Sequence, residues 1–297
     1  MAKPQVLFLK RATTVNVLKR FFPQLSEASV SRALYGSKTL GFMRRKTGAL
    51  LSRLFPENAR WVTIRGGILQ GYDIYAELRR GEKAYWLGLF ELEIQLAIQA
   101  LAGDSPRLSC IYDVGAHIGF FSMVFARCFK QARVFAFEPN PRNYQRLVLN
   151  VQRNELAARI TPVGRAVSDE SQRTQFYIGE STWSGSLISD HRDNYKADYS
   201  VVTATLDEVV FRDHYPAPEV IKIDVEGAEV QVLRGGAKVL ECYKPMLIIE
   251  VHYVEAGEQV VSLLRRIGYE IRSLADETKL VDALSYPEHL FARYKSP

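Results

Sequence analysis

Cysteine is scarce in this 297-residue chain, and Cys110, Cys128 and Cys242 are scattered, odd in number and without C-x-x-C spacing. That excludes a disulfide scaffold and a cysteine-based zinc module, and reads instead as core thiols in a reducing compartment. No apolar run approaches the roughly 18 residues of a membrane span. Val6–Leu9 is too short an apolar stretch for a secretory signal, so a soluble, cytoplasmic protein is expected. The chain also lacks G-x-x-x-x-G-K-[ST] and G-x-G-x-x-G, which argues against an ATP loop and against a dinucleotide fingerprint. With 47% hydrophobic and 24% charged residues, it is neither disordered nor fibrous.

Acids are nearly missing from the first 65 residues, where Glu27 and Glu57 stand against 13 Lys/Arg; the remainder carries 26 Lys/Arg and 31 Asp/Glu. Within the basic stretch, Val6, Leu9, Val15, Leu18, Phe21 and Phe22 recur at roughly helical spacing. Residues 1–60 therefore read as a basic helical extension. It is either a subdomain with a solvated face, or an arm for an anionic membrane or an acidic partner. No nucleic-acid motif accompanies the charge, so no specific nucleic acid is expected.

Residues 61–297 read as one domain. Its lead-in, over 60–105, holds short antiparallel strands in 61–80 and a helix over Glu91–Leu101. From 106 to 297 the pattern becomes repeated βα units. Strands are expected at Leu108–Val114, Ala132–Glu138, Ile160–Val167, Glu219–Asp224, Met246–His252, Tyr269–Leu274 and His289–Tyr294. Helices are expected at Gly119–Phe129, Pro141–Asn154, Glu226–Leu240 and Gly257–Ile267. Between 168 and 205 one strand, Gln175–Ile178, precedes a polar stretch containing Trp183, Ser184, Ser186, His191 and Tyr195. This stretch is either a lid for a polyhydroxylated acceptor or a plain surface loop. Alternating strands and helices imply a doubly wound, mostly parallel α/β sheet. Ligands in such sheets lie beyond the carboxyl ends of the strands.

The first strand exits into Asp113-Val-Gly115-Ala116-His117-Ile-Gly119, a glycine turn with an acid at its entry. A carboxylate there repels a pyrophosphate but attracts an ammonium and a sulfonium. The second strand ends in Glu138 and Pro139, about where an acid accepts ribose hydroxyls. The ligand that fits both is S-adenosylmethionine. A nicotinamide dehydrogenase fits neither the glycine spacing nor Asp113.

These same stretches resemble the FkbM-type S-adenosylmethionine-dependent methyltransferases: YDVGAHIGFFS (112–122), FAFEPNPRNYQRLVLNVQRN (135–154), TLDE (205–208), IKIDVEGAEVQVLRGG (221–236) and LIIEVH (247–252). The resemblance covers about residues 85–255 and implies a Rossmann-like class I methyltransferase fold whose last strand is antiparallel. It also implies cofactor contacts from Asp113, Gly115 and Glu138, to which Ala116, His117, Gly119, Pro139, Val167 and Asp224 are added from the turn and the strand ends. Glu91 falls in the resembling region and is either a contact to the cofactor's amino group or an ordinary exposed helix glutamate. His117 stands where many members carry Asn. The family mostly methylates hydroxyls of sugars or polyketide-type products, which makes a small-molecule or glycan acceptor the expected partner. Methylation of RNA or protein through the basic segment, and a non-catalytic binding module, are the competing readings.

Transfer to an alcohol requires an aligned acceptor and management of one proton. Period-two alternation places Lys222 with Asp224, and Glu250 with His252, on shared faces at neighbouring strand exits. His252 is the expected base, because an ordinary imidazole titrates near neutrality. Asp224 is the expected orienter or second base, and Lys222 the partner of an acid. Asp224 also has a simpler reading as the cap of the following helix. Asp224, Glu226, Glu250 and His252 together offer oxygen and imidazole donors that suit Mg²⁺ or Mn²⁺, although the expectation adopted is a metal-free site.

Overall fold

A computed structural model of the chain describes residues 58–78, 82–178, 185–187, 196–274 and 288–295. The basic extension through residue 57 therefore lies outside the described residues, as do Trp183, Ser184, His191 and Tyr195 of the expected lid. The chain divides into two compact units, one ending at Asp104 and one beginning at Ser105.

In the first unit, β1 (Arg60–Thr63) and β2 (Asp73–Ala76) form an antiparallel pair. Trp61 packs on Tyr75 across it, with ring centroids 5.3 Å apart. α1 (Lys83–Leu87) stops at Gly88, whose φ of 73° is left-handed. α2 (Leu92–Asp104) ends just ahead of Ser105 and Pro106. Glu91 is not within this helix. It sits in the turn before it, at φ 39°, and its carbonyl accepts from the Ile94 and Gln95 N–H groups.

The second unit is built on a seven-stranded sheet. Its strands are β3 (Cys110–Val114), β4 (Arg133–Phe137), β5 (Ile160–Val163), β10 (Val220–Ile223), β11 (Met246–Val251), β12 (Tyr269–Ser273) and β13 (Glu288–Tyr294), in the order β12-β13-β11-β10-β3-β4-β5. β13 alone runs antiparallel to its neighbours, while β11, β10, β3, β4 and β5 pair in parallel. The expected α/β sheet with a closing antiparallel strand is thus present. Its central strands β3 and β10 are buried throughout because both faces are covered, with only Asp113 and Lys222 interrupting their apolar runs. One cover is α3 (Phe120–Cys128), buried from Phe120 through Ala126. Another is the amphipathic α4 (Pro141–Arg153), which Asn140 caps by accepting the Arg142 N–H at 3.0 Å, with Pro141 at the first helical position. Tyr112, Phe135, Phe137 and Tyr215 stack in the core, and the Tyr112 hydroxyl donates to the Pro216 carbonyl at 2.8 Å.

Several expected boundaries differ. The strand predicted over Ile160–Val167 ends at Val163. Ala166–Val167 is a separate strand, β6, of a small second sheet with β7 (Arg173–Ile178), β8 (Gly185–Ser186) and β9 (Lys196–Ala204), ordered β6-β9-β7-β8. The polar stretch thus contains paired strands: Ser186 is buried and registers with Tyr177. The helix predicted over Glu226–Leu240 starts only at Glu229 and divides into α5 (Glu229–Gly235) and α6 (Ala237–Tyr243). It breaks where a Cβ on Gly235 would lie 2.0 Å from the Ser168 carbonyl oxygen. The helix after β11, α7, spans Val254–Arg266 and begins earlier than Gly257. Of the three thiols read as core, Cys110 is buried, Cys128 is half-buried and Cys242 is exposed. Among the described residues no helix is long and apolar enough to cross a membrane.

Candidate active site

The carboxyl ends of β3 and β4 form the first half of the site. Gly115, at φ 81°, turns the chain where a Cβ would lie 1.7 Å from the Asp224 carbonyl oxygen, so no other residue fits. The N–H groups of Gly115 and Ala116 both donate to the Phe137 carbonyl, at 3.0 and 2.9 Å. His117 follows at φ 50°, a left-handed conformation that His and Asn tolerate better than most residues. Its backbone N–H donates to Glu138 Oε2 at 2.7 Å, and the Asn140 N–H donates to Glu138 Oε1 at 2.8 Å. Glu138 is thereby fastened to both turns it stands between. Burial, only partly offset by these two bonds, pushes its carboxyl up to about 8. Burial and the nearby Arg146 charge take the His117 imidazole down to about 3, so it is neutral.

Asp113, expected to face a cationic ligand, stands near the carboxyl end of β3. It is 0% exposed, its Oδ2 accepts from Ser122 Oγ at 2.5 Å, and its Oδ1 faces Lys222 Nζ at 3.8 Å. It braces the turn from within the sheet. The Val167 side chain packs in the main core, and β6 pairs with β9 rather than extending β5.

The second half lies at the ends of β10 and β11. Lys222 registers beside Asp113 across the sheet and its Nζ donates to Asp224 Oδ2 at 3.0 Å, with the Phe121 ring centroid 5.1 Å away. Lys222 thus joins the two halves. Asp224 does not cap the next helix, whose N-cap is Ala228. Although burial opposes it, the charges of Lys222 and His252 hold the Asp224 carboxyl below its usual range. Glu226 and Gly227 both have positive φ, at 53° and 103°, and the chain doubles back here. Glu226 Oε2 lies 3.2 Å from His252 Nε2, with Asp224 Oδ1 and Glu250 Oε1 each at 3.7 Å. Glu250 also faces its cross-strand neighbour His289, Oε2 to Nε2 at 3.4 Å.

The sequence reading missed Glu229. It is 0% exposed, and its Oε1 meets His252 Nδ1 at 2.8 Å while accepting the Gly227 N–H at 2.8 Å. The only signal was its place three residues after Glu226, one turn further along. Glu229 changes the expected chemistry of His252. Burial alone would lower the imidazole, but the Glu229 hydrogen bond and the Glu226 and Asp224 charges outweigh it and raise His252 to about 10. His252 is therefore an imidazolium at neutral pH rather than the free base expected of it. Burial, with Asp224 and Glu250 nearby, pushes Glu226 up to about 7 against the pull of His252.

The turn, the paired strand-end acids and the carboxylate–imidazole cluster all fall within residues 113–271, which match the Methyltransferase FkbM domain family. The chain belongs to this family. It is a methyltransferase with a class I fold. Hexuronic acid methyltransferase AglP of Haloferax volcanii is 30% identical over 182 residues, 61% of this chain and 72% of that protein. The 31-O-demethyl-FK506 methyltransferase FkbM of Streptomyces tacrolimicus is 28% identical over 191 residues, 54% of this chain and 72% of that protein. The crystal structure of Methyltransferase FkbM from Methylobacillus flagellatus superposes with a TM-score of 0.44 at 20% identity, covering 72% of this chain and 53% of that one.

Proposed function

We propose that this methyltransferase uses S-adenosylmethionine to methylate a hydroxyl of a sugar, glycan or polyketide-type product. The observation that carries the cofactor reading is the bond from the His117 N–H to Glu138 Oε2. It makes the acid at the end of β4 and the turn after β3 one rigid unit. Each Glu138 oxygen accepts one N–H and retains acceptor capacity for a ribose hydroxyl. The half-buried backbone at Gly115, His117 and Pro139 lies alongside, with Ala116 and Gly119 shaping the turn. When bound, S-adenosylmethionine supplies a methyl already activated by its sulfonium. A sugar-type acceptor is supported by a relative named for a hexuronic acid, and a hydroxyl acceptor by one named for the 31-O position of FK506.

The chain's part in the reaction is to align the acceptor and take one proton. As the acceptor oxygen gains the methyl and the sulfonium carbon bond breaks, the hydroxyl proton passes to the cluster at Asp224, Glu226 and Glu250. His252 holds these acids together and stabilises their negative charge. Lys222 fixes Asp224 from behind.

Calorimetry with S-adenosylmethionine and with NADH, followed by labelled methyl transfer to hexuronic acids and macrolide alcohols, tests this reading. Binding of the methyl donor alone and label in an alkali-stable ether are expected. Binding of NADH without binding of S-adenosylmethionine would overturn it.

A further inference from the structure

The cluster around His252 has more negative charge than its bases can neutralise. Asp113, Asp224, Glu226, Glu229 and Glu250 face Lys222 and the imidazoles of His252 and His289. Lys222 is already shared between Asp113 and Asp224. Carboxylates brought this close need a compensating cation, because repulsion in a half-buried site is poorly screened.

The arrangement of His252 specifies what kind of cation. Its Nδ1 is engaged by a wholly buried carboxylate, Glu229, which fixes the ring and leaves Nε2 directed at Asp224 and Glu226. A carboxylate behind an imidazole whose other nitrogen meets oxygen ligands is the arrangement that orients metal-bound histidines and raises their basicity. Independently of the three forward groups, Glu229 Oε2 is buried without a hydrogen-bond partner. The donor atoms of Asp224, Glu226 and His252 all lie within 4.8 Å of one another. The Nε2 distances of 3.2 and 3.7 Å are close to the ~3 Å edge of an octahedron built on metal–oxygen bonds of about 2.1 Å.

We infer that Asp224, Glu226 and His252 bind one divalent cation of the Mg²⁺/Mn²⁺ class, the ion displacing the proton that His252 Nε2 otherwise carries, with Glu229 as the positioning residue behind His252. Two carboxylate oxygens and one imidazole on a half-exposed rim suit a hard ion that keeps several waters. One of those positions is available to the acceptor hydroxyl, whose proton the ion makes easier to remove. This replaces the metal-free expectation, and for its use it rests on the methyl-transfer reading above.

The test uses the full chain with Mn²⁺ alone, followed by the electron paramagnetic resonance of free Mn²⁺, so no methyl donor enters the binding measurement. Saturable binding of one Mn²⁺ per chain, displaced by Mg²⁺, is expected. Glu226→Gln, at a half-exposed position that tolerates the change, and Asp224→Asn should each weaken binding about tenfold or more. Glu229→Gln should weaken it about 10–100-fold while leaving S-adenosylmethionine affinity within about twofold. Chelation should abolish turnover, and Mn²⁺ or Mg²⁺ should restore it. No Mn²⁺ bound at millimolar concentration, or equal binding in Glu226→Gln, Asp224→Asn and the wild type, overturns the site. Either result leaves the methyl-donor reading standing if calorimetry still shows S-adenosylmethionine bound. Mn²⁺ binding without any methyl-donor binding would separate the two in the other direction.

Discussion

The two halves of the site use acidic side chains in opposite ways. At the ends of β3 and β4, Glu138 is tied to backbone N–H groups and Asp113 to Ser122. At the ends of β10 and β11, Asp224, Glu226, Glu229 and Glu250 crowd one imidazole with their side chains, and Glu229 also accepts the Gly227 N–H. Backbone donors do not titrate or rotate, so the first half has a fixed shape suited to binding. Side-chain partners exchange protons, so the second half is suited to chemistry. Lys222 is the element common to both.

The sharpest way to break this contrast is His252→Ala. It should slow turnover by about 10²–10⁴-fold while S-adenosylmethionine affinity stays nearly constant. Steady-state kinetics paired with calorimetry separates the two effects. A parallel loss of affinity would mean that the halves are not functionally distinct.

Lys222→Met tests the link itself. The side chain is 2% exposed, and its removal leaves the buried Asp113 without its cation and Asp224 without its nearest one. Breaking a buried pair in this way costs about 3–5 kcal/mol, read from urea unfolding of variant and wild type. A loss below about 1 kcal/mol would show that each half is held together without the other.

Half of this contrast could be read from the sequence. Strand alternation sets Lys222 beside Asp224 and Glu250 beside His252 on two neighbouring strands, and the glycine turn with Glu138 marks the binding half. Period-two reasoning works there because a residue's face depends only on its own strand. It fails for Glu229, which reaches His252 from a helix 23 positions away and reads in the sequence as an ordinary acid in a helix's first turn. It fails for the protonation of His252 for the same reason, since the deciding carboxylates arrive from another segment. The side sheet was illegible because β7 and β9 find each other across a long polar stretch. The single strand read over Ile160–Val167 hid a change of sheet after Val163, where local propensity does not change.

The pH dependence of the binding half sharpens the contrast further. Burial moves Glu138 from an ordinary 4.5 to about 8, so the folded chain holds this proton more tightly than the unfolded one. Its stabilising contribution is whole below about pH 4.5 and is lost as pH rises through about 8. Cofactor affinity should run the other way, rising several-fold as the carboxylate that accepts ribose hydroxyls forms. Glu138→Gln should flatten both curves over that window, measured by unfolding and by calorimetry at stepped pH. An unchanged stability curve in the variant would place the titration elsewhere.

The smallest effect is expected where a titratable side chain sits in the binding half but the backbone does the work. His117 contributes its N–H to Glu138 and a left-handed φ of 50°, while its imidazole is neutral. His117→Asn preserves the N–H and the tolerance of that conformation, so stability should change by less than about 0.5 kcal/mol and cofactor affinity by no more than about twofold. His117→Val keeps the same N–H but is β-branched at positive φ, and should cost about 1–2 kcal/mol. If Asn proves as damaging as Val, the imidazole itself contacts the ligand, and the binding half is not the backbone device its geometry describes.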